Sequence, residues 1–186
     1  HAMKFGKKGF LDLFADLRFR EATNRSGEYE GTVYSNNLVL DNILVEERKF
    51  NRAGNLRLGN SQADNYNLGF NLGFPLSSKV NFTANYLSGY RKSVAGGMYY
   101  YPKQTDYVNY FVHPDGFLPL NEAKVRDRSI SAKVNGICSK GWNWEVATVF
   151  GENGINYNVS NSNNASQLSL GAAVPTNFYN GKTKYN

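Results

Sequence analysis

The chain has 186 residues and a formal net charge of +6, with 13 Tyr, 12 Phe, 18 Gly and a single Cys. Its Lys and Arg are scattered among acids and aromatics rather than gathered into a stripe, which argues against a nucleic-acid surface. Cys138 alone excludes an internal disulfide, and no apolar run of about 18 residues is present to make a transmembrane helix.

In chain order, residues 1–3 (His1-Ala2-Met3) read as a tag remnant, and the remainder, 4–186, as one region. Period-two alternation then predicts a strand over 10–20, with Leu11, Leu13, Ala15, Leu17 and Phe19 on one face and Asp12, Phe14, Asp16 and Arg18 on the other. A long connection of about 40 residues follows, in which Leu38-Val39-Leu40 and Ile43-Leu44-Val45 read as a short extra hairpin. A second strand over 64–75 carries Tyr66, Leu68, Phe70, Leu72 and Phe74. The turn from Pro75 to Lys79 leads to a third strand over 79–90 with Val80, Phe82, Ala84 and Tyr86. A second long connection, over 91–127, is crowded with aromatics. The fourth strand, 128–137, carries Ile130, Ala132, Val134 and Gly136; a turn around Cys138 leads to the fifth, 142–153, with Trp142, Trp144, Val146, Thr148 and Phe150.

Each run is about 9–13 residues long, which suits a tilted strand crossing a bilayer rather than a typical soluble strand of about 5–6. Short turns alternate with long connections, whereas a compact soluble domain keeps its loops short. The pattern predicts an all-β fold of antiparallel strands from a partial outer-membrane β-barrel, with short periplasmic turns and long extracellular loops. The polar face would line a wet lumen and the apolar face would meet lipid. Tyr66, Phe74, Tyr86, Tyr90, Trp142 and Trp144 are then the candidate membrane-interface girdle. The competing architecture is a soluble β-sandwich that packs the same apolar residues inward and binds carbohydrate through its aromatics.

The connections carry Thr23-Asn24-Arg25-Ser26-Gly27, Gly89-Tyr90-Arg91-Lys92, and His113-Pro114-Asp115-Gly116-Phe117-Leu118-Pro119. Later come Ser160-Asn161-Ser162-Asn163-Asn164-Ala165-Ser166 and Pro175-Thr176-Asn177-Phe178-Tyr179. In this order and between these strands, from about Gly9 onward, the chain resembles the middle barrel region of TonB-dependent receptors. The resemblance implies a parent barrel of about 22 strands around an N-terminal plug, in the outer membrane of a Gram-negative bacterium. It implies energised import of a scarce nutrient such as an iron–siderophore complex, cobalamin or a glycan. The implied partners are outer-membrane lipid, the rest of the barrel and plug, TonB acting through the plug, and the small-molecule nutrient. This chain contains neither plug nor TonB box, so the resemblance implies a fragment that does not transport by itself. Five strands do not close a barrel, so the fragment is expected to self-associate or to fold its long loops over the apolar face.

Tyr99, Tyr100, Tyr101, Tyr107, Tyr110 and Phe111 form the candidate ligand-contact loop, since flat rings beside Arg and Lys stack on sugars and aromatic chelators. Packing of the loop on itself is the simpler reading of the same residues. Asp12, Asp16, Arg18 and Arg20 read as solvated wall residues. An enzyme would need loop carboxylates such as Glu28, Glu30 or Asp41, and no motif supports one. His113 is isolated and Cys138 has no His near it in sequence, so the chain reads as a non-enzyme without metal or cofactor.

Overall fold

In the computed structural model, which describes residues 1–6 and 8–185, the alternating runs become one antiparallel meander. The elements are β1 (Ala2–Phe5), β2 (Gly9–Arg20), α1 (Leu38–Glu47), β3 (Gln62–Pro75), β4 (Val80–Gly96), β5 (Leu120–Ile137), β6 (Asn143–Ser160) and β7 (Phe178–Tyr185). The sheet order follows the chain from β1 to β7, and every neighbouring pair is antiparallel. The sheet does not close, so β1 and β7 are its edges.

Three expectations change. The sheet has seven strands rather than five, because Ala2–Phe5 pairs along β2 and Phe178–Tyr185 pairs along β6. Two of the three residues read as a tag remnant, Ala2 and Met3, lie in β1. The central strands also run well past the predicted ends, to 17, 18 and 18 residues in β4, β5 and β6. The second long connection therefore shortens to 97–119. Finally, Leu38–Glu47 is a helix and not a hairpin. Asn37 caps it, its Oδ1 accepting from the backbone N–H groups of Val39 and Leu40 at 3.0 and 3.3 Å. Apolar residues at 39, 40, 43 and 44 satisfy helical spacing as well as they satisfy two short strands, and the cap decides between them.

The register shows that the five apolar runs share one face. Leu13 opposes Phe70, Phe70 opposes Tyr86, Tyr86 opposes Ile130, and Ile130 opposes Phe150. Directly opposed residues in an antiparallel sheet point the same way. Phe70–Tyr86, Phe74–Phe82 and Tyr66–Tyr90 form ring pairs at 5.8, 5.2 and 6.1 Å along this front face. Each such pair contributes about 0.2–1 kcal/mol.

The back face is polar and pairs with itself. Asn67 donates to Asp16 at 3.2 Å, Arg18 binds Asp16 at 3.0 Å, Arg91 donates to Asn65 at 2.6 Å, and Lys133 meets Glu145 at 3.3 Å. Phe10 and Phe14 break the polar pattern for a steric reason. Their rings lie over Gly73 and Gly69, filling the space that a Cβ at either glycine would need.

Most of the deeply buried residues lie outside the sheet. Val33, Tyr101, Val108, Phe117, Leu118 and Val174 are buried, and all belong to the connections 21–61, 97–119 and 161–177. Lys103 N–H donates to the Val33 carbonyl, Ser162 N–H to that of Thr176, and Asn109 N–H to the Asn163 side chain, so the three connections gather into one cap at one end of the sheet. They do not fold over the front face, so of the two expected ways of covering it the loops do not supply one: Leu17, Val146 and Phe150 remain 61, 67 and 56 % exposed.

Candidate functional site

The front face is an apolar band with a sharp upper edge. The last apolar residues before the charges begin are Phe19 on β2, Tyr66 on β3, Tyr90 on β4, Ile130 on β5 and Phe150 on β6. Phe19 opposes Asp64, which opposes Lys92, while Ile130 opposes Tyr86. The edge therefore slips by about six residues over four strand steps, roughly 20 Å along the strands for about 19 Å across them, a slope near 45°.

Above that edge the alternation reverses. On β6 the front-face positions after Phe150 are Glu152, Gly154, Asn156 and Asn158, while Ile155, Tyr157 and Val159 occupy the back face. On β5 the front face above Ile130 carries Arg128, Arg126, Lys124 and Glu122, and the back face carries Val125 and Ala123. Glu122 binds Lys92 at 3.0 Å and Lys124 at 2.8 Å, and the Arg126 guanidinium sits 5.7 Å from the centre of the Tyr90 ring.

The six girdle candidates take different places in this frame. Tyr66 and Tyr90 stand on the upper edge; Phe74 and Trp144 lie at the lower one, with Trp144 over Gly136; Trp142 is in the turn and 75 % exposed. Tyr86 sits within the band, paired with Phe70, because β4 continues to Gly96.

The loop candidates also divide. Tyr101 is buried and stacks on Tyr29 at 4.0 Å, Tyr99 donates to the Asp115 carbonyl at 2.7 Å, and Tyr100 stacks on Phe117 at 5.0 Å. Burial pushes the hydroxyls of Tyr99 and Tyr101 up to about 12, helped by the nearby Asp115 charge for Tyr99 and by Tyr29 for Tyr101. These three rings hold the cap together. Tyr107, Tyr110 and Phe111 face solvent, Phe111 at 77 % exposure. Arg48 lies between the rings of Tyr34 and Tyr110, 5.5 and 5.8 Å from their centres, and is anchored by Asp115 at 3.0 Å. Asp115 also accepts from the Tyr34 hydroxyl at 2.8 Å.

Two organising residues had no visible pattern in the sequence. Asp41 is fully buried, and its Oδ1 accepts backbone N–H groups from Val33, Tyr34 and Ser35 at 2.9, 2.6 and 3.0 Å, with Arg52 at 3.7 Å from Oδ2. Burial would raise its pKa, but the three N–H groups and Arg52 outweigh that and hold the carboxyl below its ordinary value. Thus α1 turns its first-turn acid inward and leaves Leu38, Val39 and Ile43 exposed. Asn109 is the second: its side chain donates to the Gly171 and Leu168 carbonyls at 2.9 and 3.4 Å and accepts from Phe111 N–H. That last contact is an Asx turn, the one local signal that marks it.

Of the carboxylates weighed for an enzyme, Asp41 is committed to these backbone donors, while Glu28 and Glu30 are exposed. His113 packs against Phe117, with Nε2 3.2 Å from the Ser162 carbonyl. Among the described residues no group of three or more His, Cys, Asp or Glu is arranged to hold a metal. Comparisons with known protein families, curated proteins and solved structures give no match to this chain.

Proposed function

We propose that this chain is a wall segment of an outer-membrane β-barrel, and that its parent is a receptor of the TonB-dependent kind, importing a scarce nutrient. The observation that carries the membrane reading is the reversal of polarity along single strands. Below a diagonal line the front face is apolar and exposed; above it the same face is charged. A face packed on a second sheet keeps its apolar parity to the strand end. A face that passes from hydrocarbon into water does not. The slope agrees with the 35–45° tilt of barrel strands. At that tilt the ten residue steps from Val80 to Tyr90 span roughly 24 Å, close to the ~25 Å apolar belt of such barrels.

The sandwich alternative lacks its second layer, since the described strands form one sheet. The receptor assignment rests on the order of loop motifs, and Tyr107, Tyr110 and Phe111 are the exposed rings that would meet an iron–siderophore complex, cobalamin or a glycan. Both tryptophans lie at the turn end, which gives a direct test. In vesicles carrying brominated lipids, Trp144 emission is expected to be quenched more by bromine near the headgroup than near the acyl terminus. Equal emission with and without bromine would overturn the membrane reading.

A further inference from the structure

The front face immediately above the apolar band is basic. Across β4 to β7 it carries Lys92, Lys124, Arg126, Arg128, Lys182 and Lys184, and cations outnumber carboxylates there. The carboxylates are already engaged: Glu122 binds Lys92 and Lys124, and Glu152 lies 3.5 Å from Lys184. Arg126 and Arg128 are exposed and, among the described residues, have no carboxylate partner.

We propose that Arg126 and Arg128 bind the phosphate groups of lipid headgroups in the leaflet on the loop side; this rests on the membrane reading above. Arg128 is the first front-face residue beyond Ile130 and Arg126 the next. On a strand tilted by about 45° they stand roughly 5 and 9 Å above the hydrocarbon edge, within a side chain's reach of a headgroup layer about 5–8 Å thick. The Tyr90 ring beneath Arg126 fixes the guanidinium at that boundary. Gly154 stands opposite Arg126, and Lys184 stands opposite Gly154, so a position without a side chain separates two cations. A Cβ at Gly154 would meet only the Thr183 carbonyl, at 3.9 Å. The notch admits a phosphate between a planar fork of donors and a point charge, the pairing that arginine makes best.

The test is vesicle flotation of the whole chain with phosphatidylcholine alone and with about 20 mol % phosphatidic acid added, since each basic residue near an anionic surface contributes about five-fold in affinity. The wild-type chain is expected to bind phosphatidylcholine and to bind the acidic vesicles about 20-fold more tightly. Arg126→Gln with Arg128→Gln should keep the first and lose most of the second. Arg91→Gln with Lys133→Gln removes the same charge from the back face and should keep both. Equal enhancement in wild type and the Arg126/Arg128 variant, or equal loss in the two double variants, overturns headgroup binding. Displacement by millimolar inorganic phosphate at constant ionic strength would assign the site to the free ion and overturn it as well. Failure of the wild-type chain to bind phosphatidylcholine alone is a different result: it removes the membrane reading and the headgroup proposal with it.

Discussion

The two ends of this sheet are stabilised differently. The cap encloses buried side chains, stacked rings and a carboxylate oxygen that accepts three backbone N–H groups. The band below it has ring pairs and a hydrogen-bonded ladder, yet its large apolar residues face outward. The cap is therefore held by protein alone, whereas the band depends on the medium around it. Hydrophobic burial is usually the dominant favourable contribution to folding, so an exposed band withholds it until lipid, detergent or another copy supplies a dry surface.

That contrast can be broken from either side. The largest effect is expected from Asp41→Ala, which strands three N–H groups and the Arg52 charge. It should cost about 3–4 kcal/mol of cap stability, read as loss of near-ultraviolet tyrosine ellipticity, with the strand signal retained. Next, Phe70→Arg places a charge in the band. It should cost roughly 2–4 kcal/mol of insertion into a bilayer and leave the cap melting curve unchanged. A cap that melts with the band in this variant would show that the two ends are one unit.

Acid gives a smaller test. The Asp41 pKa lies below its ordinary value in the folded chain, so its stabilisation is complete above an unfolded pKa of about 3.9 and is lost as pH falls through the folded one. Thermal melts of the cap between neutral pH and pH 3 should show a drop in wild type that Asp41→Ala lacks. Phe14→Ala, which uncovers Gly69, should cost about 1 kcal/mol and act on the sheet only. Tyr110→Ala and Phe111→Ala should change cap stability by less than about 0.5 kcal/mol, as expected of exposed side chains. On the proposed receptor reading, a nutrient bound through these rings should still lose affinity in these variants.

The band was legible in the sequence, and the reason is physical. Where one face is dry and the other wet, residues must alternate, and Leu11 to Phe19 or Val80 to Tyr86 record that directly. Beyond the band the ladder continues but the constraint changes. Leu120–Arg126 on β5 carries its charges on the front and Ala123 and Val125 behind, so the apolar phase shifts and the predicted strand began late. β1 and β7 are edge strands of four and eight residues with little apolar repeat. The interior of the cap was hidden because Asp41 and Asn109 act through backbone groups far along the chain, which no local period reports. The aromatic residues 99–111 share one connection, but which rings pack and which remain exposed is decided by Tyr29, Tyr34 and Phe50 from another connection.

The strand order has a consequence for how such a sheet comes into being. Each strand touches only its neighbours in sequence, from β1 through to β7. No strand has to be inserted between two that are already paired, and no crossover has to wait for a distant segment. Assembly can proceed one hairpin at a time from the tight turns at Leu76–Lys79 and Cys138–Trp142, each completed hairpin offering an edge to the next. A ladder of this kind grows as a zipper does, and it can be extended at either free edge by further strands of the same kind without disturbing those already in place.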